Sequence, residues 1–258
     1  MFPIGICTDF ENIPEAHEIG FDFVEISLNQ LAALPQADFE AFADYVEGIG
    51  LRIPVLNQIL PDNLPITGPH VSAQALHGYL ASAFDRARRL GAQVVVLDAP
   101  KSRAVPEGFD FPMAWRQLGN FLRLVQGHAN DSDLRVAIEP IRKSECNLLN
   151  LVSEATLLAA LLQLNNVGVA AHTGHMGMAS EPLSALRRAA PLLWHVHLSS
   201  ALHRGLPRID DGEDYRKPLQ ALEDMGYTGN ISVCAPSVKN FGLEAASALA
   251  CIRAAMTR

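Results

Sequence analysis

VGVAAHTGHMG, residues 167–177, sets a run of small and β-branched residues directly against two histidines, His172 and His175. Such a run reads as a buried strand that ends in polar, titratable rings. With the strand placed at GVAAH (168–172), seven further segments follow the same plan. They are PIGIC (3–7), FVEIS (23–27), IPVLN (53–57), VVVLD (94–98), RVAIE (135–139), WHVHLS (194–199) and ISVC (231–234). Between the strands, apolar residues recur at helical spacing, roughly over 11–19, 38–49, 72–90, 112–129, 151–164, 181–190, 215–225 and 242–256. Ser72 opens one of these helices, and Gly91 and Gly226 follow the ends of two others. Eight βα units predict an α/β chain folded as a single (β/α)8 TIM barrel over residues 1–258. A doubly wound open sheet is the competing architecture, but no Gly-rich phosphate loop follows the first strand. No linker or low-complexity block divides the chain.

At 258 residues and 49% hydrophobic, the chain can bury a full core. A formal net charge of −8 argues against a binder of nucleic-acid backbones, which needs a concentrated basic surface. Cys7, Cys146, Cys234 and Cys251 include no close pair, so neither a disulfide framework nor a zinc knuckle is signalled. MFPIGICTDF has no basic region and only a brief apolar run, unlike a signal peptide. No stretch is long and apolar enough to span a bilayer. These features predict a soluble, cytoplasmic protein with neither a nucleic-acid nor a membrane partner.

Strand side chains alternate between two faces. In the last four candidate strands the bulkier apolar set is Val136 and Ile138, Val169 and Ala171, Val196 and Leu198, and Ile231 and Val233. That set suits packing against outer helices. The other set then faces the barrel axis and aims Glu139, His172, His197 and Cys234 at one point near the strand ends, where barrel chemistry sits. Singly, a strand-end histidine can be a hydrogen-bonded rim residue and a cysteine a small buried hydrophobe. Glu139 is harder to dismiss, because a carboxylate in a core demands a partner. His195, deeper along its strand, reads as structural and as orienting its neighbour. His17, His70, His77 and His128 read as surface residues.

Five stretches carry a further signal: IEPIRKSECNLLN (138–150), HTGHM (172–176), HVHL (195–198), SRAVPEGFD (102–110) and GYTGNISV (226–233). Together they resemble the xylose-isomerase-like sugar isomerases and epimerases, including the D-tagatose 3-epimerase group. The resemblance implies a (β/α)8 barrel that binds one divalent cation and interconverts sugars by proton transfer through an enediolate. It places Glu139 at the first glutamate ligand and His197 at the histidine ligand. Glu145, His175 and Arg204 match substrate-contacting positions, although the loop before Arg204 is one residue longer. Arg103 fits the Ser-Arg-x-Val-Pro-Glu-Gly loop, and Asn57 completes the expected substrate contacts.

Two positions depart from that pattern. His172 replaces an aspartate ligand, and Cys234 replaces a glutamate that serves as both ligand and acid/base. The expected metal set is therefore Glu139, His172, His197 and Cys234, with Glu139 and Cys234 as the catalytic pair. Imidazole and thiolate donors favour zinc over manganese, cobalt or magnesium. The preferred reading is a sugar, sugar-phosphate or hydroxy-keto acid isomerase or epimerase with a rebuilt metal site. The alternative is a degenerate barrel that lacks catalysis, or lacks the metal, and binds a carbohydrate-like ligand. A third reading, the metal-dependent endonuclease branch of the superfamily, lacks its additional His and Asp ligands and the basic surface. Arg204, Arg208 and Lys239 are candidates for a substrate's phosphate end. Such barrels commonly pair as homodimers, though no sequence feature fixes an oligomeric state.

Overall fold

A computed structural model describes residues 1–130 and 133–257. Its strands are β1 (Ile4–Cys7), β2 (Phe23–Ser27), β3 (Val55–Asn57), β4 (Val94–Leu97), β5 (Arg135–Ile138), β6 (Val167–His172), β7 (Leu193–Leu198) and β8 (Asn230–Val233). They lie parallel in sequence order, and β8 closes on β1 to form the barrel. All eight coincide with the expected runs. The helices are α1 (Ile13–Ile19), α2 (Leu28–Ala33), α3 (Gln36–Ile49), α4 (Ala73–Arg89), α5 (Pro100–Arg103), α6 (Phe111–Ala129), α7 (Val152–Leu162), α8 (Thr173–Met178), α9 (Ser184–Ala189), α10 (Arg216–Asp224) and α11 (Phe241–Met256). The short α2, α5 and α8 are additions to the sequence reading. α2 and α8 directly follow a strand, Asp98 and Ala99 separate α5 from β4, and each helix is only four to six residues long, too short for an apolar period to show. Ser72 caps α4 by accepting the Ala75 amide at 3.2 Å. Gly91 and Gly226 take left-handed backbone (φ 72° in each) after α4 and α10, which explains both stops.

The expected parity holds. Val136, Ile138, Val169, Ala171, Val196, Leu198, Ile231 and Val233 belong to the main core, shared with the helices. A second apolar cluster of Phe23, Val55, Val94, Val96, Ala137 and Ala170 is the interior layer, with Trp194 packed against it. Two glycines make room for its rings. A Cβ on Gly5 would lie 2.2 Å from Phe23, and one on Gly168 would lie 2.5 Å from Trp194. Trp194 is an extra residue in its strand: Val169 pairs with Leu193 but Ala170 pairs with His195. That bulge lets β7 send Trp194 into the interior layer while His195 and His197 keep the register of Ala170 and His172. The interior is thus plugged by hydrocarbon from β2 through β7, and residues beyond the plug line the mouth.

Candidate active site

A pocket of about 370 Å³ opens at the C-terminal ends of the strands. Glu139, His172, His197 and Cys234 all line it, as do Asn57, Glu145, His175 and Arg204. Arg103 does not. Its side chain is fully buried, with one guanidinium nitrogen 3.2 Å from the Leu97 carbonyl, so it braces the end of β4 and corrects the expectation of a substrate contact. Arg208 and Lys239 are also absent from the lining.

Beneath the pocket runs a line of charge that the sequence reading did not include. Glu25, in the middle of β2, is fully buried. One of its oxygens lies 2.9 Å from His197 Nε2, and the other accepts the Ser232 hydroxyl at 2.6 Å. The second oxygen also lies 2.9 Å from His195 Nε2, an ion-pair distance without hydrogen-bond alignment. On its far side the His197 ring bonds through Nδ1 to Glu139. His195 does sit beneath its neighbour as expected, their rings 4.7 Å apart. Burial disfavours charge on all of these groups. For His197 it is outweighed by Glu25 and Glu139, which raise its pKa well above the ordinary imidazole value. Burial likewise opposes ionisation of Glu139, but His197 overrides it and brings the pKa down to about 2. Glu25 is lowered for the same reason. His195 goes the other way: burial prevails over Glu25 and keeps it neutral. The stable arrangement is an imidazolium held between two carboxylates, each cost of burial being met by a direct partner.

His172 and Cys234 make a second, neutral pair, with Cys234 Sγ 3.3 Å from His172 Nε2. His172 Nδ1 accepts the His175 amide at 3.2 Å and so caps the start of α8. Accepting at Nδ1 places the hydrogen of a neutral ring on Nε2, facing the sulfur. Burial lowers the His172 pKa to about 3. An interaction with Cys7 favours the Cys234 thiolate, but burial, Glu139 and Glu25 outweigh it and raise the thiol. Gly174 permits the tight exit from β6, since a Cβ there would lie 2.2 Å from Ser199 Oγ. Asp98, just beyond β4, accepts the Gln58 amide at 3.2 Å and the Ala99 amide at 2.7 Å. Burial, reinforced by Glu139, raises its pKa to about 6.

Higher on one wall, Arg142 and Arg204 both bond to Glu145, the latter at 3.3 Å. His175 stands among Glu139, Glu145 and Arg142, and burial lowers its pKa. Sequence reasoning therefore missed Glu25, Asp98, Arg142 and Cys7 as site residues. The signal for Glu25 was present: a carboxylate inside an apolar strand demands a partner as much as Glu139 does.

Several of these side chains stand close enough to share an ion. His172, His197 and Cys234 place one donor atom each within 4.8 Å of the others, and so do Glu139, His172 and His175, and Cys7, Glu25 and His197.

A family model described as a xylose isomerase-like TIM barrel matches residues 13–255. Among solved structures, the 3-keto-D-glucoside 4-epimerase of E. coli superposes with a TM-score of 0.85 at 17% identity, covering 98% of this chain and 100% of its own. A D-psicose 3-epimerase, determined in the presence of D-fructose, gives 0.83 at 18% identity over 99% and 97% of the two chains. A family 2 AP endonuclease from Brucella melitensis gives 0.79 at 17% identity over 95% and 96%. At such identities these likenesses establish the fold. No protein of curated function matches the chain by sequence.

Proposed function

The chain belongs to the xylose isomerase-like TIM-barrel family, and on that premise we propose that it is an isomerase or epimerase of a sugar or sugar-like hydroxy-ketone. The observation that carries this reading is Glu139: a carboxylate held ionised at the mouth of the barrel by His197, itself backed by Glu25. Glu139 takes the proton from the carbon beside the substrate carbonyl, which leaves an enediolate. Its depressed pKa keeps it ready to accept a proton but makes it a weak base, so its strength grows as substrate draws the His197 hydrogen bond away. For isomerisation, Glu139 returns the proton to the neighbouring carbon on the same face. For epimerisation, a Cys234 thiol not bound to a cation delivers a proton to the opposite face; Glu139 keeps the proton it took, and exchange of both groups with solvent restores the starting pair.

The donors fit a divalent cation, zinc before manganese, cobalt or magnesium. His172, His197 and Cys234 offer two imidazole nitrogens and a sulfur, and Glu139 offers an oxygen in a second group with His172 and His175. Such a cation, when bound, polarises the substrate carbonyl and stabilises the enediolate charge. His172 would hold such a cation through one ring nitrogen, while its Nδ1 accepts the His175 amide at the start of α8. A metal would bind these imidazoles and the thiol only in their deprotonated forms, so its uptake would release protons and strengthen as pH rises.

The same satisfied hydrogen bonds favour one competitor, a metal-free barrel that binds a carbohydrate without converting it. Metal content by mass spectrometry on tag-free protein, beside a Glu139→Gln/His197→Ala control, separates the two when combined with a screen of ketose conversion. Stoichiometric zinc lost in the control, with turnover, supports the enzyme. Sugar binding without metal uptake or conversion establishes the binder.

A further inference from the structure

Arg142 is a nearly buried cation of the pocket with one nitrogen left without a hydrogen-bond partner. Its side chain is only 14% exposed. One terminal nitrogen bonds Glu145, the other meets the Met178 sulfur at 3.0 Å, and Nε is buried without a hydrogen-bond partner. A thioether is a weak acceptor for a guanidinium. Arg204 leans on the same oxygen of Glu145 at 3.3 Å. Its backbone is held at φ 53°, a left-handed conformation costly for a non-glycine residue, with its amide tied to the Ser200 carbonyl at 3.0 Å. One carboxylate thus serves two guanidinium groups, and the wall keeps one positive charge in excess. The other acids of the lining stand elsewhere in the chain: Glu139 is bonded to His197, and Asp98 and Asp9 follow β4 and β1.

We propose that Arg142 and Arg204, steadied by Glu145, form a carboxylate-binding handle, so that the substrate is a short hydroxy-keto acid rather than a neutral sugar. This rests on the isomerase or epimerase reading of the same pocket and narrows its substrate class. Two guanidinium forks match a carboxylate in geometry, and one excess charge matches its single charge, whereas a phosphate dianion would exceed it. His175 stands with Glu139 and His172, their donor atoms within 4.8 Å of one another, and lines the same pocket as Arg142, Glu145 and Arg204. The handle and the candidate base thus open on one cavity.

The test is calorimetric binding, at fixed ionic strength, of D-glycerate, glycerol 3-phosphate and glycerol to the protein as purified, with its metal content measured alongside. D-Glycerate is expected to bind, glycerol to bind at least tenfold more weakly, and glycerol 3-phosphate to gain nothing over D-glycerate. Arg142→Gln should weaken D-glycerate at least tenfold with metal content and thermal midpoint unchanged, and Arg142→Lys should restore part of the loss. D-Glycerate binding that survives Arg142→Gln, or glycerol binding of equal strength, would overturn the handle. Preference for glycerol 3-phosphate would overturn the carboxylate assignment. None of these outcomes depends on turnover, so a failed handle is distinguishable from a failed isomerase.

Discussion

The same inward-facing rows of the barrel build two unlike regions. Two residues apart, Phe23 gives way to Glu25, Ala137 to Glu139 and Ala170 to His172. The first of each pair belongs to a hydrocarbon plug, and the second lies in the hydrogen-bonded network at or below the pocket. The difference shows that strand parity decides only which way a side chain points. Its place along the strand decides whether it meets hydrocarbon or charge. The plug also serves the mouth, because it excludes water from beneath Glu25 and so strengthens each electrostatic contact there.

Substitution in the mouth has the largest expected effect on chemistry. Glu139→Gln should lower kcat by about 10²–10⁴-fold, the usual loss of a general base, measured on the substrate found by the ketose and hydroxy-keto acid screen. Cys234→Ala should reduce both turnover and zinc affinity; unchanged turnover would remove Cys234 from the mechanism. Against these stands a change in the plug. Phe23→Ala should cost about 3–5 kcal/mol of stability in urea unfolding while leaving kcat of the folded fraction unchanged. Glu25→Gln sharpens the contrast, since it should both destabilise the fold and lower kcat by loosening His197. A purely structural Glu25 would leave the rate alone.

A smaller effect follows from the charge line in metal-free protein. Glu139 has a folded-state pKa near 2, below its ordinary 4.5, so its stabilising contribution is complete above 4.5 and is lost as pH falls toward 2. His197 is raised above 6.5, so its contribution is complete below 6.5 and is lost as pH climbs through the raised value. Stability should therefore reach a plateau between these limbs, and Glu139→Gln should flatten the acid one. Nitrogen-edited NMR of the imidazoles at neutral pH should show His197 protonated on both nitrogens and His195 and His172 neutral. A neutral His197 would break the account of the line.

Much of this organisation was legible in the sequence because it repeats. Eight short runs of period two, each followed by a helical period, specify the barrel, and parity then brings Glu139, His172, His197 and Cys234 to one mouth. What stayed hidden lacks a period. Glu25 was absorbed into the pattern of its own strand, although its charge conflicted with that pattern. Arg142 enters the pocket from a loop, where no alternation predicts direction. Arg103 sits in a matching motif, yet α5 turns its side chain into the body of the protein, a local geometry that four residues cannot advertise.

Solvent exchange tests the central claim most directly. Ketoses and short hydroxy-keto acids incubated with the protein in deuterium oxide, with and without added zinc, can be followed by proton NMR. The account predicts deuterium at the carbon beside the carbonyl of at least one compound, and its loss in Glu139→Gln. Exchange unaffected by Glu139→Gln, or ligand binding with no exchange in any metal, would contradict it.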